Sequence, residues 1–113
     1  MNESATIPEI APTELSEQLD RGNAPVLVDV REPFEAAIAD LPDHGQVRIP
    51  TGEFMERYSE LDPDADLVIY CRSGSRSAWA TAILRAHGYD RVRNLRGGVL
   101  GWRAEVDPTL AAY

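Results

Sequence analysis

Two short apolar runs limit what this chain can become. Residues 26–30 (VLVDV) and 67–70 (LVIY) are rich in β-branched side chains and too short for helices, the pattern of strands buried on both faces. Strands of that kind need a helical layer above and below, and the segments between them supply it. Thr13 fits the N-cap of a short helix in which Leu15 and Leu19 share a face, closed by Gly22. Pro33 suits the first turn of a second helix carrying Phe34, Ala37 and Ile38. Residues 52–61 predict a third helix. Residues 77–87 predict a fourth, with Ser77, Ala80, Thr81 and Leu84 on one face and Gly88 at its end. Gly97 and Gly98 lead into a last helix holding Val99, Leu100 and Trp102, which stops before Pro108. Residues 91–95 (RVRNL) complete the main strands, with brief ones expected near residues 8–10 and over 47–49. The alternation predicts an α/β fold: a central sheet of about five mostly parallel strands with helices on both faces. At 113 residues, one domain over 1–113 is expected, with 1–7 as a flexible tail.

Charge is segregated along the chain. Residues 1–66 hold 4 Arg and 16 Asp or Glu, whereas residues 67–103 hold 7 Arg against the single acid Asp90. The total is −8, and every basic residue is Arg. An acidic domain without a basic tail is a poor nucleic-acid binder, so the reading is a local electropositive site inside an acidic body. No apolar run approaches the roughly 18 residues of a membrane helix. The opening MNESATIPEI carries neither a basic leader nor an apolar stretch, so no signal peptide is expected and the cytoplasm is the expected location.

Cys71 is the only cysteine, which forbids an intramolecular disulfide. His44 and His87, the only histidines, are too few and too far apart to build a zinc cluster with it, so no metal and no cofactor are expected. Cys71 matters as a thiol or thiolate, and its setting points to the latter. It is the first residue after a buried strand, where open α/β sheets bind ligands. The loop CRSGSR follows, with Ser73, Gly74 and Ser75 permitting a tight curl whose N–H groups converge as an anion nest. A helix start adds its unsatisfied N–H groups and partial positive charge, and Arg72 and Arg76 add full charges. Each of these favours the thiolate. A lone cysteine elsewhere is more often a small buried hydrophobe.

Five segments carry a resemblance to a known family: VDVREPFE (28–35), IPTGEF (49–54), YCRSGSRS (70–77), Gly88-Tyr89 and NLRGGVLGW (94–102). In this order and spacing the chain resembles the single-domain rhodanese-like sulfurtransferases from about Pro8 onward. The ending EVDPTLAAY (105–113) is also similar to rhodanese domains of the adenylyltransferases that supply sulfur for molybdopterin and thiamine synthesis. Many members have a Gly-His-Ile-Pro-Gly-Ala stretch where this chain has LPDHGQVRIP (41–50), a departure that bears on the pocket rim and donor preference. The resemblance implies that Cys71 takes the outer sulfur of a donor such as thiosulfate, forming a persulfide. An acceptor (cyanide, a small thiol, or a sulfur-carrier protein or its activating enzyme) then removes that sulfur. The amides from Arg72 to Arg76 would hold the charged terminal sulfur as an oxyanion hole does. Arg76 is the candidate for stabilising the persulfide or donor anion, and Arg72 for attracting anionic donors.

The rival chemistry is phosphoryl transfer, which needs Cys, five residues, then Arg. Six residues after Cys71 comes Ser77, and Arg76 arrives one position early, so the loop suits a single sulfur better than a phosphate. A silent binding module is disfavoured by the intact cysteine and its two arginines. Asp29 and Arg31 end the first main strand on the sheet edge that holds Cys71; the resemblance suggests they support the loop or the fold near it, with Arg31 pairing to Glu35, and a structural ion pair is the favoured reading. Trp79 is read as packing on a neighbouring helix or marking a docking surface beside the site. Trp102 and Tyr89 read as packing residues, and His44 and His87 as surface residues.

Overall fold

The computed structural model describes residues 7–113. The expected flexible tail therefore falls almost wholly outside the described residues. The elements run β1 (Glu9–Ile10), α1 (Pro12–Asp20), β2 (Val26–Asp29), α2 (Pro33–Ile38) and β3 (Val47–Arg48). They continue with α3 (Thr51–Arg57), a 3-10 turn (Tyr58–Glu60), β4 (Leu67–Tyr70), α4 (Ser75–Ala86), β5 (Val92–Leu95) and α5 (Gly98–Glu105). Among the described residues the five strands form one sheet in the order β1-β5-β4-β2-β3, and every pairing is parallel. β4 is central: Leu67 and Val68 pair with Val26 and Leu27 on one side and with Val92 and Arg93 on the other.

Strand periodicity divides β4 between two cores. Leu67, Ile69 and then Cys71 join Val28, Val30, Phe54, Ala80 and Leu84 beneath α3 and α4. Val68 and Tyr70 face the other way, with Leu15, Leu19, Leu95, Val99 and Trp102 beneath α1 and α5. The α/β architecture with both faces covered is thus the one read from VLVDV and LVIY. No helix among the described residues is long and apolar enough to cross a membrane.

The strands read over 8–10, 26–30, 47–49 and 91–95 are each one residue shorter, and three helix boundaries differ for a visible reason. Ala11, not Thr13, is the N-cap of α1, because Pro12 opens the helix and the Glu14 carboxylate reaches back to accept the Ala11 N–H at 3.1 Å. α3 ends at Arg57 and tightens into the 3-10 turn, so it is shorter than residues 52–61. α4 begins at Ser75, two residues early, because Gly74 takes φ +108° and turns the chain straight from the strand end into the helix.

Candidate active site

The C-terminal ends of β2, β4 and β5 meet at the Cys71 loop. Cys71 itself is buried, while Arg72, Ser73 and Ser75 form an exposed crest above it. The loop is exposed at its crest, but its cysteine lies beneath it. The sulfur is not surrounded by hydrocarbon alone. Gly74 N–H points at Sγ at 3.1 Å, Ser77 N–H at 3.4 Å, and the Ser77 hydroxyl lies 3.3 Å away. Gly74 and Ser77 occupy the N-cap and third position of α4, so Sγ accepts N–H groups that an α-helix leaves unpaired at its start. This geometry suits a negatively charged sulfur, with the positive end of the α4 dipole directed at it.

The loop's carbonyl groups are drawn the other way by α5. Cys71 C=O accepts the Val99 N–H at 2.9 Å and Arg72 C=O accepts the Leu100 N–H at 3.0 Å. Such close approach of α5 requires glycine at its first position. At Gly98 (φ +58°) a Cβ would sit 2.4 Å from the Cys71 oxygen and 2.6 Å from the Arg72 oxygen. Asn94, buried in β5, finishes the arrangement. Its amide donates to the Gly74 carbonyl at 3.2 Å, which turns its Oδ1 toward the Ser77 hydroxyl at 2.5 Å. A hydroxyl has one proton, so Ser77 serves Asn94 or the sulfur at any moment.

The two loop arginines stand differently. Arg76 is clamped by Glu35, with Nη1 to Oε2 at 2.8 Å and Nη2 to Oε1 at 2.9 Å. Its charge is thereby matched, and it lines an open groove of about 310 Å³ with Thr51, Ser75 and Trp79. Arg72 pairs with no Asp or Glu side chain among the described residues; its guanidinium lies over the Tyr113 ring, 5.2 Å from the centroid, and its Nε donates to the main-chain oxygen of Tyr113.

Arg31 does not pair with the Glu35 carboxylate. It reaches only the Glu35 main-chain oxygen, because the nearer acids Asp29 (2.9 Å) and Asp40 (3.0 Å) take its guanidinium and Arg76 takes Glu35. Arg48 bridges the same two aspartates, and Tyr70 donates to Asp40 at 2.7 Å with Arg31 against its ring. Asp29 and Arg31 thus form a buried charged network under the sheet edge, one residue removed from the sulfur loop. Trp79 packs on Phe54, centroids 5.9 Å apart, as one of its two readings has it, and it is 45% exposed on the groove wall. Trp102 and Tyr89 are buried, and His44 and His87 are exposed.

Ser77, Asn94, Glu35 and Tyr113 were not singled out as site residues. A buried Asn in a strand pattern was the available signal, since such a side chain must find partners. The pairs involving Glu35 and Tyr113 span 41 and 78 positions, and local spacing carries no trace of them.

Glu35 has a measurable consequence. The Arg76 guanidinium, reinforced by the Glu32 N–H and the Tyr113 hydroxyl, outweighs burial and lowers its carboxyl from 4.5 to about 2. Its contribution to stability is therefore complete above pH 4.5 and is lost as the pH falls from 4.5 toward 2. A shift of this size corresponds to about 3 kcal/mol. Urea unfolding measured across that window should show Glu35→Gln losing a corresponding part of the acid slope. An identical slope in the variant would refute the pairing.

Comparison with known proteins agrees with this architecture. The family described as Rhodanese-like domain matches residues 11–105. A sulfurtransferase of Allochromatium vinosum is 43% identical over 103 residues, covering 91% of this chain and 94% of that protein. The adenylyltransferase and sulfurtransferase uba4 of Ogataea parapolymorpha is 33% identical over 99 residues, covering 86% of this chain but only 25% of its own length. Among solved structures, a rhodanese-related protein from Thermoplasma volcanium superposes with a TM-score of 0.77 at 29% identity, covering 88% of this chain and 93% of that one. With a parallel sheet in this order and a cysteine at the head of α4, the chain belongs to the rhodanese-like family and is a sulfurtransferase of the rhodanese type.

Proposed function

We propose that this protein moves a sulfane sulfur from thiosulfate or another persulfide donor to a thiophilic acceptor through a persulfide on Cys71. The observation that carries the reading is the convergence of the Gly74 and Ser77 N–H groups on Sγ. In the first step the Cys71 thiolate attacks the donor's outer sulfur. The donor's S–S bond breaks, sulfite leaves with the bonding pair, and Cys71 carries the second sulfur as an anion. In the second step a nucleophile such as cyanide or a thiolate attacks that terminal sulfur, and the bonding pair returns to Cys71. No general base is needed once the thiol is ionised. The amides at the head of α4 would hold the charge as it shifts outward by one atom. Because Cys71 is covered, the loop around it would have to open for the donor to reach Sγ.

A second reading, relay of the sulfur to a carrier protein or its activating enzyme, draws support from the similarity to uba4. It uses the same Cys71 step with a larger acceptor, and we place either reaction in the cytoplasm. The test is direct: thiosulfate treatment should add the mass of one sulfur atom to the protein and release sulfite, and cyanide should remove that mass as thiocyanate. Protein that keeps its original mass under thiosulfate and under a small organic persulfide would overturn the reading.

A further inference from the structure

We infer that Asn94 is a positioning residue for sulfur loading, giving the Ser77 hydroxyl a second acceptor when the charge moves from Cys71 Sγ to the outer sulfur. The inference rests on the persulfide reading above. Asn94 is fixed from both sides: its main-chain N–H donates to the Pro8 carbonyl at 2.9 Å, and it lies in register with Glu9 of β1 and Ile69 of β4. Its side chain is buried, so each end of the amide must find a partner. Nδ2 donates to the carbonyl of Gly74, the residue whose own N–H points at the sulfur, and Oδ1 faces the Ser77 hydroxyl. The reversed amide would set Oδ1 against a carbonyl oxygen, so a single orientation satisfies both ends.

The Ser77 hydroxyl thus stands between two acceptors, Oδ1 at 2.5 Å and Sγ at 3.3 Å, with one proton to give. Where that proton goes depends on where the negative charge sits. A Cys71 thiolate draws it, because hydrogen bonds to a charged group are about twice as strong as neutral ones. After thiosulfate has delivered its outer sulfur and sulfite has left, the charge rests on the outer atom and Sγ is a neutral, weak acceptor. The hydroxyl then turns to Asn94 instead of lying buried without a partner. Asn94 therefore stabilises the loaded form more than the empty thiolate, and it does so without touching the donor or the transferred atom.

The experiment equilibrates the full chain at fixed ratios of thiosulfate to sulfite and reads the loaded fraction by mass spectrometry. Asn94→Leu keeps the branched outline and removes both polar ends. It should shift the loading equilibrium about tenfold toward the empty enzyme, the effect of orphaning one buried hydroxyl in the loaded form alone. At the same time the pH profile of Cys71 alkylation by iodoacetamide should move down by about 0.5 pH unit, because the thiolate no longer shares the hydroxyl. The charged groups about the loop (Arg72, Arg76 with Glu35 from α2, and Asp29 with Arg31 at the end of β2) are the same in every variant. Ser77→Ala should move the profile upward, and adding Asn94→Leu to it should change neither readout, since Asn94 acts through that hydroxyl. Asn94→Val takes the place of Asn94→Leu if the larger side chain unfolds the protein.

A loop loosened by the substitution would carry its amides away from the sulfur and move the profile upward. An upward or unmoved profile, or an Asn94 effect that survives in the Ser77→Ala background, would overturn the inference. If the wild type loads sulfur and the Asn94 variant loads equally at every ratio, the transfer reading stands and the role of Asn94 falls. If the wild type takes up no sulfur, the transfer reading falls and takes the loading role with it, and the alkylation profiles alone decide whether Asn94 competes for the Ser77 proton.

Discussion

Cys71→Ser should show no measurable sulfite release and no sulfur adduct, while its unfolding free energy falls by only about 1 kcal/mol. Oxygen replaces sulfur in a position already furnished with donors, so the serine hydroxyl inherits the Gly74 and Ser77 N–H groups instead of leaving them orphaned. A hydroxyl offers no ready anion at neutral pH and forms no sulfur–sulfur bond, so the chemistry ends although the loop persists. Cys71→Ala separates the two effects. It abolishes transfer equally but strands both N–H groups in a buried site, which costs about 1–3 kcal/mol for each. The chain has no other cysteine, so no second thiol can take over. Thiosulfate turnover and denaturant titration on the three proteins check both parts. Retention of an adduct in Cys71→Ser would place the reactive group elsewhere.

Gly98→Ala should be among the most damaging single methyl additions in the molecule. Its Cβ would meet the Cys71 and Arg72 main-chain oxygens at 2.4 and 2.6 Å, and neither is the free end of a side chain that could swing away. Either α5 backs out or the loop does. In both cases the Val99 and Leu100 N–H groups lose their carbonyl partners and the loop's peptide planes are free to turn over. The left-handed backbone at φ +58° adds about 1 kcal/mol for alanine, and the clash raises the total to about 3–5 kcal/mol. The melting midpoint should fall by on the order of 15 °C, and sulfur transfer should fall with it even at temperatures where the variant stays folded. Gly88→Ala is the control: its φ of +88° carries the same conformational cost, but nothing lies within 4 Å of its Cβ, so it should lose about 1 kcal/mol and keep full activity. Equal losses at the two glycines would show that the contact with α5 is unimportant.

These cases show which features local sequence could reveal. The β4 strand, the loop after it and the helix that follows are local matters: a four-residue apolar run, a glycine able to adopt φ +108°, and a helix face of Ser77, Ala80, Thr81 and Leu84. All were legible from spacing alone, and so was the position of Cys71 at their junction. The charged partners were not, because they depend on the sheet order β1-β5-β4-β2-β3, which places α2 beside the head of α4 across 41 residues of chain. The resemblance suggests Arg31 with Glu35, four apart in sequence. Tertiary packing overruled it, since Asp29 and Asp40 lie closer to the buried guanidinium and Glu35 turns instead to the more accessible Arg76. The early start of α4 has a related cause. Ser75 reads as loop because a serine-glycine-serine stretch is a turn signal, yet Gly74 at φ +108° bends the chain so sharply that Ser75 already opens the helix.

The sheet's margins carry a consequence of their own. Its outermost members, Glu9–Ile10 and Val47–Arg48, are only two residues each, and β3 ends in an arginine held by two aspartates. So little unpaired main chain is presented at either flank that a neighbouring molecule has scant template for adding a strand. A parallel ribbon rich in valine and isoleucine, the kind of segment most prone to fibre growth, is thereby kept inside the molecule and out of reach of its copies.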